Sequence, residues 1–144
     1  MSEGKNSILI VDDNEINIAI LEDILKHDYE VHVGKDGVEA IEKAKDILPD
    51  AILLDVILPK LDGFEVIKVL KADPETNEIP IVFITALSDV ENERKGLLLG
   101  ADDYIQKPFD PVTVKLRVDI QMRIVSHLRT IKLLSEDVAS WIEQ

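Results

Sequence analysis

Three short runs of consecutive apolar residues punctuate this chain: Ile8 to Val11, Ala51 to Leu54 and Ile81 to Ile84. Each is bounded by turn formers or acids, which is the pattern of a strand covered on both faces, as in the middle of a parallel sheet. Tyr29, Val31 and Val33 instead alternate with Glu30, His32 and Gly34, which predicts a strand with one wet face at a sheet edge. Asp103-Tyr104-Ile105 is a short, weak strand leading to Gln106-Lys107-Pro108.

Helical spacing fills the intervals. Ile16, Ile20, Leu21, Ile24 and Leu25 predict a first helix, and Val38, Ile41, Ala44 and Leu48 a second that begins at Asp36-Gly37. After a turn at Leu61-Asp62-Gly63, Phe64, Ile67 and Leu70 mark a third, which stops before Asp73-Pro74. Ser88-Asp89-Val90-Glu91 has the spacing of a capping box and opens a fourth that runs to Gly100. Asp110, followed by Pro111 at a first helical position, opens the last.

Strand and helix thus alternate five times. Because right-handed crossovers leave few other arrangements, this predicts an α/β fold: a doubly wound, five-stranded parallel sheet with helices on both faces. Three buried runs, a wet second strand and a weak fifth fit the flavodoxin-like order 2-1-3-4-5. The order reverses between strands 1 and 3, so Asp12-Asp13 and Asp55 meet at the carboxyl edge, with Thr85 and Lys107 arriving from strands 4 and 5.

The last helix is unusually long. One unbroken helix from Pro111 to about Glu143 would extend on the order of 50 Å at 1.5 Å per residue, so part of it has no sheet to pack on. Ile124, Leu128, Ile131, Ser135, Val138 and Ile142 fall on a heptad seam. Ser135-Glu136-Asp137 could instead cap a separate short helix. The chain divides into residues 1–124 as the sheet domain and 125–144 as a helical extension, which either pairs two copies and leads to a further domain, with Trp141 near the contact, or lies on its own domain.

Charge narrows the partners. With 16 Lys and Arg against 29 Asp and Glu, the net charge of −13 opposes direct binding of nucleic acid or anionic membranes. The absence of cysteine excludes disulfides and thiolate metal sites, and fits a reducing compartment. Met1 to Ser7 is polar rather than signal-like, and no run reaches the roughly 18 apolar residues of a membrane span. These features predict a cytoplasmic protein.

Each residue at the predicted edge has an ordinary explanation when taken singly. Asp12 or Asp13 caps the first helix, Asp55 forms a turn, Thr85 is a strand-end hydroxyl and Lys107 a surface charge. Together they point elsewhere, because clustered carboxylates repel and are tolerated mainly where a cation is expected. Hard oxygen ligands favour Mg2+, while His27, His32 and His127 all lie away from strand ends. A lysine within about 4 Å of a carboxylate gains on the order of 4 kcal/mol at an effective dielectric near 20, before desolvation. Carboxylate nucleophile, magnesium, lysine and hydroxyl together describe phosphoryl transfer to an aspartate.

Asp12-Asp13, Asp55 followed by Val56 to Pro59 and Asp62-Gly63, Thr85-Ala86, Gly100 to Tyr104, and Lys107-Pro108-Phe109 occur in order. Over roughly residues 7–124 the chain resembles the receiver domain of two-component response regulators. The resemblance implies that Asp55 accepts a phosphoryl group from a sensor histidine kinase, with Asp12, Asp13, Asp55 and the Ile57 carbonyl around Mg2+. It further implies phosphoryl contacts from Thr85 and Lys107, and a cis Lys107–Pro108 bond. Thr85 and Tyr104 would form the switch: the hydroxyl moves inward and the aromatic ring follows. The output face would be helix 4, strand 5 and helix 5, which together with the C-terminal helix offers routes to a homodimer.

Ile57 and Leu87 stand two residues after Asp55 and Thr85, where apolar side chains predict a long-lived phosphoryl state. The chain would then catalyse only its own phosphorylation and dephosphorylation. An aspartyl-phosphate phosphohydrolase is the rival enzyme reading, although it usually places an acid where Ile57 stands; a phosphorylation-independent scaffold is the rival without chemistry. Flavin binding suits the topology but not the acidic loop after strand 1.

Overall fold

A computed structural model describes residues 5–86 and 89–142. Ser88, the first residue of the expected capping box, and Leu87, expected beside the site, lie outside the described residues, as do most of the polar N-terminal stretch and Glu143. The elements run β1 (Asn6–Val11), α1 (Glu15–Leu25), β2 (Tyr29–Gly34), α2 (Gly37–Ile47) and β3 (Ala51–Asp55). They continue as α3 (Gly63–Ala72), β4 (Ile81–Ala86), α4 (Val90–Leu98), β5 (Asp103–Lys107) and α5 (Pro111–Ile142).

All four strand pairings are parallel and the order is β2-β1-β3-β4-β5, as the hydrophobic pattern predicts. Period-two alternation divides the apolar runs between two cores. Leu9, Val11, Ile52, Leu54 and Phe83 pack with Ala40 and Ala44 of α2 and Phe64, Ile67 and Leu70 of α3. Ile8, Ile10, Leu53, Val82 and Ile84 pack with Leu21 and Leu25 of α1 and Val114, Val118 and Met122 of α5. Burial of each such Ile or Leu contributes about 1.5–3 kcal/mol, which holds the central strands rigid and gives their carboxyl ends a fixed geometry.

Local chemistry sets the helix ends. Asn14, Asp36, Asp62 and Asp89 each accept a backbone N–H from the first turn that follows, satisfying donors a helix start leaves free. Gly100 ends the α4 region with φ of 112°, a conformation that glycine tolerates.

Two of the expected stripes are displaced. In α1, Ile16 and Ile20 are 71% and 42% exposed, while Ile18, Leu21 and Leu25 are buried. Isoleucines at 16, 18 and 20 offer more than one apolar face, and the docked position of the helix on the sheet selects Ile18. Val38 in α2 and Leu48, its C-cap, are exposed, and small residues, Gly37, Ala40 and Ala44, form the buried face. The close approach of neighbouring backbone selects size over hydrophobicity there.

Helix α5 is continuous through Ser135, so no separate C-terminal helix begins at that residue. Met122 is its last buried residue. Past that point Arg129 donates to Asp50, whose other carboxylate oxygen accepts the Ser7 N–H at 2.7 Å. The helix then extends with Trp141 80% exposed. Among the described residues no helix is long and apolar enough to cross a membrane.

Candidate functional site

The carboxyl ends of β1, β3, β4 and β5 converge on one edge because the sheet order places β1 and β4 on either side of β3. Register fixes the detail: Val11 is level with Leu54, Asp55 with Ile84, and Ala86 with Lys107. Asp12 follows β1 directly, Asp55 ends β3, Thr85 lies one residue beyond the partner of Asp55, and Lys107 ends β5.

Asp12, Asp13 and Asp55 each offer a carboxylate oxygen, all within 4.8 Å of one another. Asp12 and Asp55 are buried and Asp13 is exposed. Lys107 Nζ donates to Asp55 Oδ2 at 2.9 Å, and the Ile57 N–H donates to Asp55 Oδ1 at 2.9 Å. Asp12 Oδ1 accepts the Asn14 N–H at 2.9 Å. Burial raises the pKa of Asp12, and the Asp55 charge adds to the rise; the Asn14 N–H and Lys107 oppose it.

Two buried polar atoms here have no hydrogen-bond partner among the described residues: Asp12 Oδ2 and Thr85 Oγ1. Leaving a buried polar group unpaired costs roughly 1–3 kcal/mol, and more if it is charged, so such atoms mark places where an external partner belongs. An unpaired carboxylate oxygen beside two further carboxylates suits a hard cation, and an unpaired hydroxyl suits an acceptor oxygen. The donor set therefore fits magnesium. A hollow of about 490 Å³ between α1 and β2, lined by Ile18, Ala19, Val33 and Lys35 among others, contains none of the three aspartates.

Every edge residue singled out from the sequence lies at this end of the sheet, but Tyr104 sits apart, on β5. Its ring packs against Phe83 with centroids 5.8 Å apart, and the Arg117 guanidinium lies 5.4 Å from the ring centroid. The Glu93 carboxylate beside the hydroxyl holds the pKa of Tyr104 above the usual phenol value, with desolvation adding to the effect. Arg117 also donates to Asp103 at 2.7 Å and to the Tyr104 carbonyl at 2.9 Å. Sequence reasoning missed both Glu93 and Arg117, because their contact with β5 depends on how α4 and α5 pack. The Lys107–Pro108 bond is cis, as the resemblance implies.

A model of the response regulator receiver domain matches residues 8–119. The response regulator PleD of Caulobacter vibrioides is 47% identical over 112 residues, which cover 77% of this chain and 25% of that protein. A response regulator structure from Chloroflexus aurantiacus superposes with a TM-score of 0.81 at 36% identity, covering 83% of this chain and 98% of that one. The receiver domain of a Pseudomonas aeruginosa sensor histidine kinase, solved with magnesium coordinated in its active-site cleft, has a TM-score of 0.75 at 31% identity; 85% of this chain and 99% of that chain are covered.

The chain belongs to the receiver domain family of two-component response regulators, phosphorylation-dependent switches that interact with histidine kinases and output domains. It spans from 8% to about half of the length of the most similar curated relatives.

Proposed function

We propose that Asp55 is the phosphoryl acceptor of a switch driven by a sensor histidine kinase, with Asp12, Asp13, Asp55 and the Ile57 carbonyl holding Mg2+. One observation carries this reading: Asp12 Oδ2 and Thr85 Oγ1 are buried and unpaired on the same edge as a lysine-paired carboxylate. Bound magnesium would neutralise the carboxylates and the incoming phosphoryl oxygens. An Asp55 oxygen attacks phosphorus as the bond to the donor imidazole breaks, and the imidazole leaves with the bonding pair. Lys107 follows the new charge to a phosphoryl oxygen, and Thr85 Oγ1 donates to another. The inward turn of Thr85 frees space for the Tyr104 ring, which already touches Phe83, and so alters the face formed by α4, β5 and α5.

The phosphoryl group passes only to Asp55 and then to water. Ile57 stands where an aspartyl-phosphate hydrolase would place an acid, and its apolar side chain is 75% exposed. Without a polar group there to activate water, the phosphoryl state is long-lived; decay within seconds would count against this.

Residues 1–124 act as the receiver and 125–144 as a signalling helix toward an output domain. Two copies pair through the uncovered part of α5, where Ile124, Leu128, Ile131, Leu134, Val138, Trp141 and Ile142 are all exposed. Isolated helices are marginal in water, which favours a partner along this stretch. The net charge of −13 opposes direct nucleic acid and membrane contact, and with the absence of cysteine it supports a cytoplasmic setting.

The test is incubation with Mg2+ and acetyl phosphate beside an Asp55→Asn control, reading intact mass and solution size together. A phosphoryl adduct on the wild type alone is expected. No adduct from either acetyl phosphate or a histidine kinase, in a folded protein that binds Mg2+, would leave a phosphorylation-independent scaffold.

A further inference from the structure

The loop from Val56 to Asp62 is held at both ends. At its near end the Ile57 N–H donates to Asp55 Oδ1 at 2.9 Å, and the Gly63 N–H donates to the Val56 carbonyl at 2.8 Å. Its far end rests on the start of α2. The Pro59 carbonyl accepts two N–H groups, from Leu61 at 2.8 Å and from Gly37 at 3.4 Å. The first of these bonds spans two residues and closes a γ-turn around Lys60, whose φ is 66°. A γ-turn with positive φ at a residue other than glycine is rare and strained, and persists only where its surroundings over-determine it.

Those surroundings are Asp36 and Gly37. A Cβ placed on Gly37 would lie 1.9 Å from the Leu61 carbonyl oxygen and 2.7 Å from the Leu61 carbonyl carbon, so backbone meets backbone with no space between. Lys60 Nζ lies 3.3 Å from Asp36 Oδ2, while Asp36 Oδ1 caps α2 by accepting the Glu39 N–H at 2.8 Å. A helix start does not itself need glycine, and alanine is the better helix former. The approach of the loop is what excludes a side chain at position 37.

We infer that Asp36 and Gly37 are positioning residues for the acceptor loop: the start of α2 seats the Lys60 turn and thereby keeps the Ile57 backbone in register with the Asp55 carboxylate. Neither residue touches Asp55. Their effect on the loop rests on geometry alone, whereas their effect on phosphorylation rests on the reading of Asp55 as acceptor.

Gly37→Ala, and Gly37→Ala combined with Lys60→Gly, test this in the full chain. Three quantities are compared with wild type: hydrogen exchange at the Ile57 amide, Mg2+ affinity by calorimetry, and the rate of phosphoryl uptake from acetyl phosphate. Gly37→Ala is expected to speed exchange at Ile57, weaken Mg2+ binding and slow uptake by about 10- to 100-fold, the scale of a misplacement near 1 Å. The amides of α2 stay protected, since alanine favours the helix. Lys60→Gly relaxes the turn, because glycine takes positive φ without strain, and restores part of the rate; a general loss of stability would not be rescued in this way. Wild-type exchange and uptake in Gly37→Ala overturn the inference, as does slower uptake that only tracks a lower melting temperature. If the wild type takes up no phosphoryl group while the Ile57 amide still responds to Gly37→Ala, the acceptor reading fails and the positioning contact stands.

Discussion

Lys107 Nζ stands 2.9 Å from Asp55 Oδ2, joining the last residue of β5 to the last residue of β3 across the intervening strand. Asp55 is almost wholly buried and Lys107 only partly, so the pair presents its cation toward solvent and its anion toward Asp12. One ammonium does not compensate the cluster, and Asp12 Oδ2 remains unpaired. Magnesium at about 100 times its dissociation constant is therefore expected to stabilise the fold by about 2.7 kcal/mol. Urea midpoints with Mg2+ and with chelator measure this, and an undiminished increment in Asp12→Asn would remove Asp12 from the metal site.

Gly96 is the buried residue of α4, and it faces Phe83: a Cβ there would fall 2.5 Å from the ring's Cε1 and Cζ atoms. Gly96→Ala favours the helix by about 1 kcal/mol yet must move either α4 or the ring, and overpacking of this kind typically costs about 1–3 kcal/mol. We expect a lower urea midpoint and a displaced Tyr104 ring, seen as shifted aromatic resonances. A midpoint at or above wild type would mean that α4 yields without strain.

The uncovered stretch of α5 gives a separable phenotype. Ile131 and Leu134 are exposed, so Ile131→Asp with Leu134→Asp should change the stability of the single chain by no more than about 0.5 kcal/mol per site. If two copies pair there, sedimentation shows the variant as a monomer at concentrations where wild type is dimeric, with phosphoryl uptake unchanged. Equal masses for the two would sink the pairing.

Asp36 provides a pH test away from the carboxylate cluster. The Glu39 N–H, first, and then Lys60 hold its pKa below the ordinary 3.8, against an opposing contribution from burial. A carboxyl group depressed in the folded state contributes stability above its unfolded pKa, and this is lost as pH falls through the folded value. The gap in urea midpoint between wild type and Asp36→Ala should be full at about pH 6 and narrow progressively below pH 3.8. A gap independent of pH would assign the role of Asp36 to packing rather than charge.

Strand identity and sheet order were legible because a strand buried on both faces must be apolar throughout, while an edge strand need not be. Ile8 to Val11, Ala51 to Leu54 and Ile81 to Ile84 therefore announced the three central strands, and Tyr29 to Gly34 announced the edge. Order and parallel direction then carried Asp12, Asp55, Thr85 and Lys107 to one edge without knowledge of a single contact. Helix faces were less legible. Ile16 and Ile20 are as apolar as Ile18, and only the docked position of α1 selects among them.

What the chain alone determined was the list of chemical groups and the edge on which they meet, since the groups follow directly on the apolar runs and the handedness of crossovers brings the ends of those runs together. What only the tertiary structure decided was which groups find partners. The pairing of Lys107 with Asp55, Arg117 and Glu93 around Tyr104, and Gly37 beneath Leu61 join residues distant in sequence, while the oxygens of Asp12 and Thr85 are left unpaired. Differences of an ångström separate a hydrogen bond from an orphaned atom, and such distances arise from the packing of whole helices on the sheet rather than from any local pattern of residues.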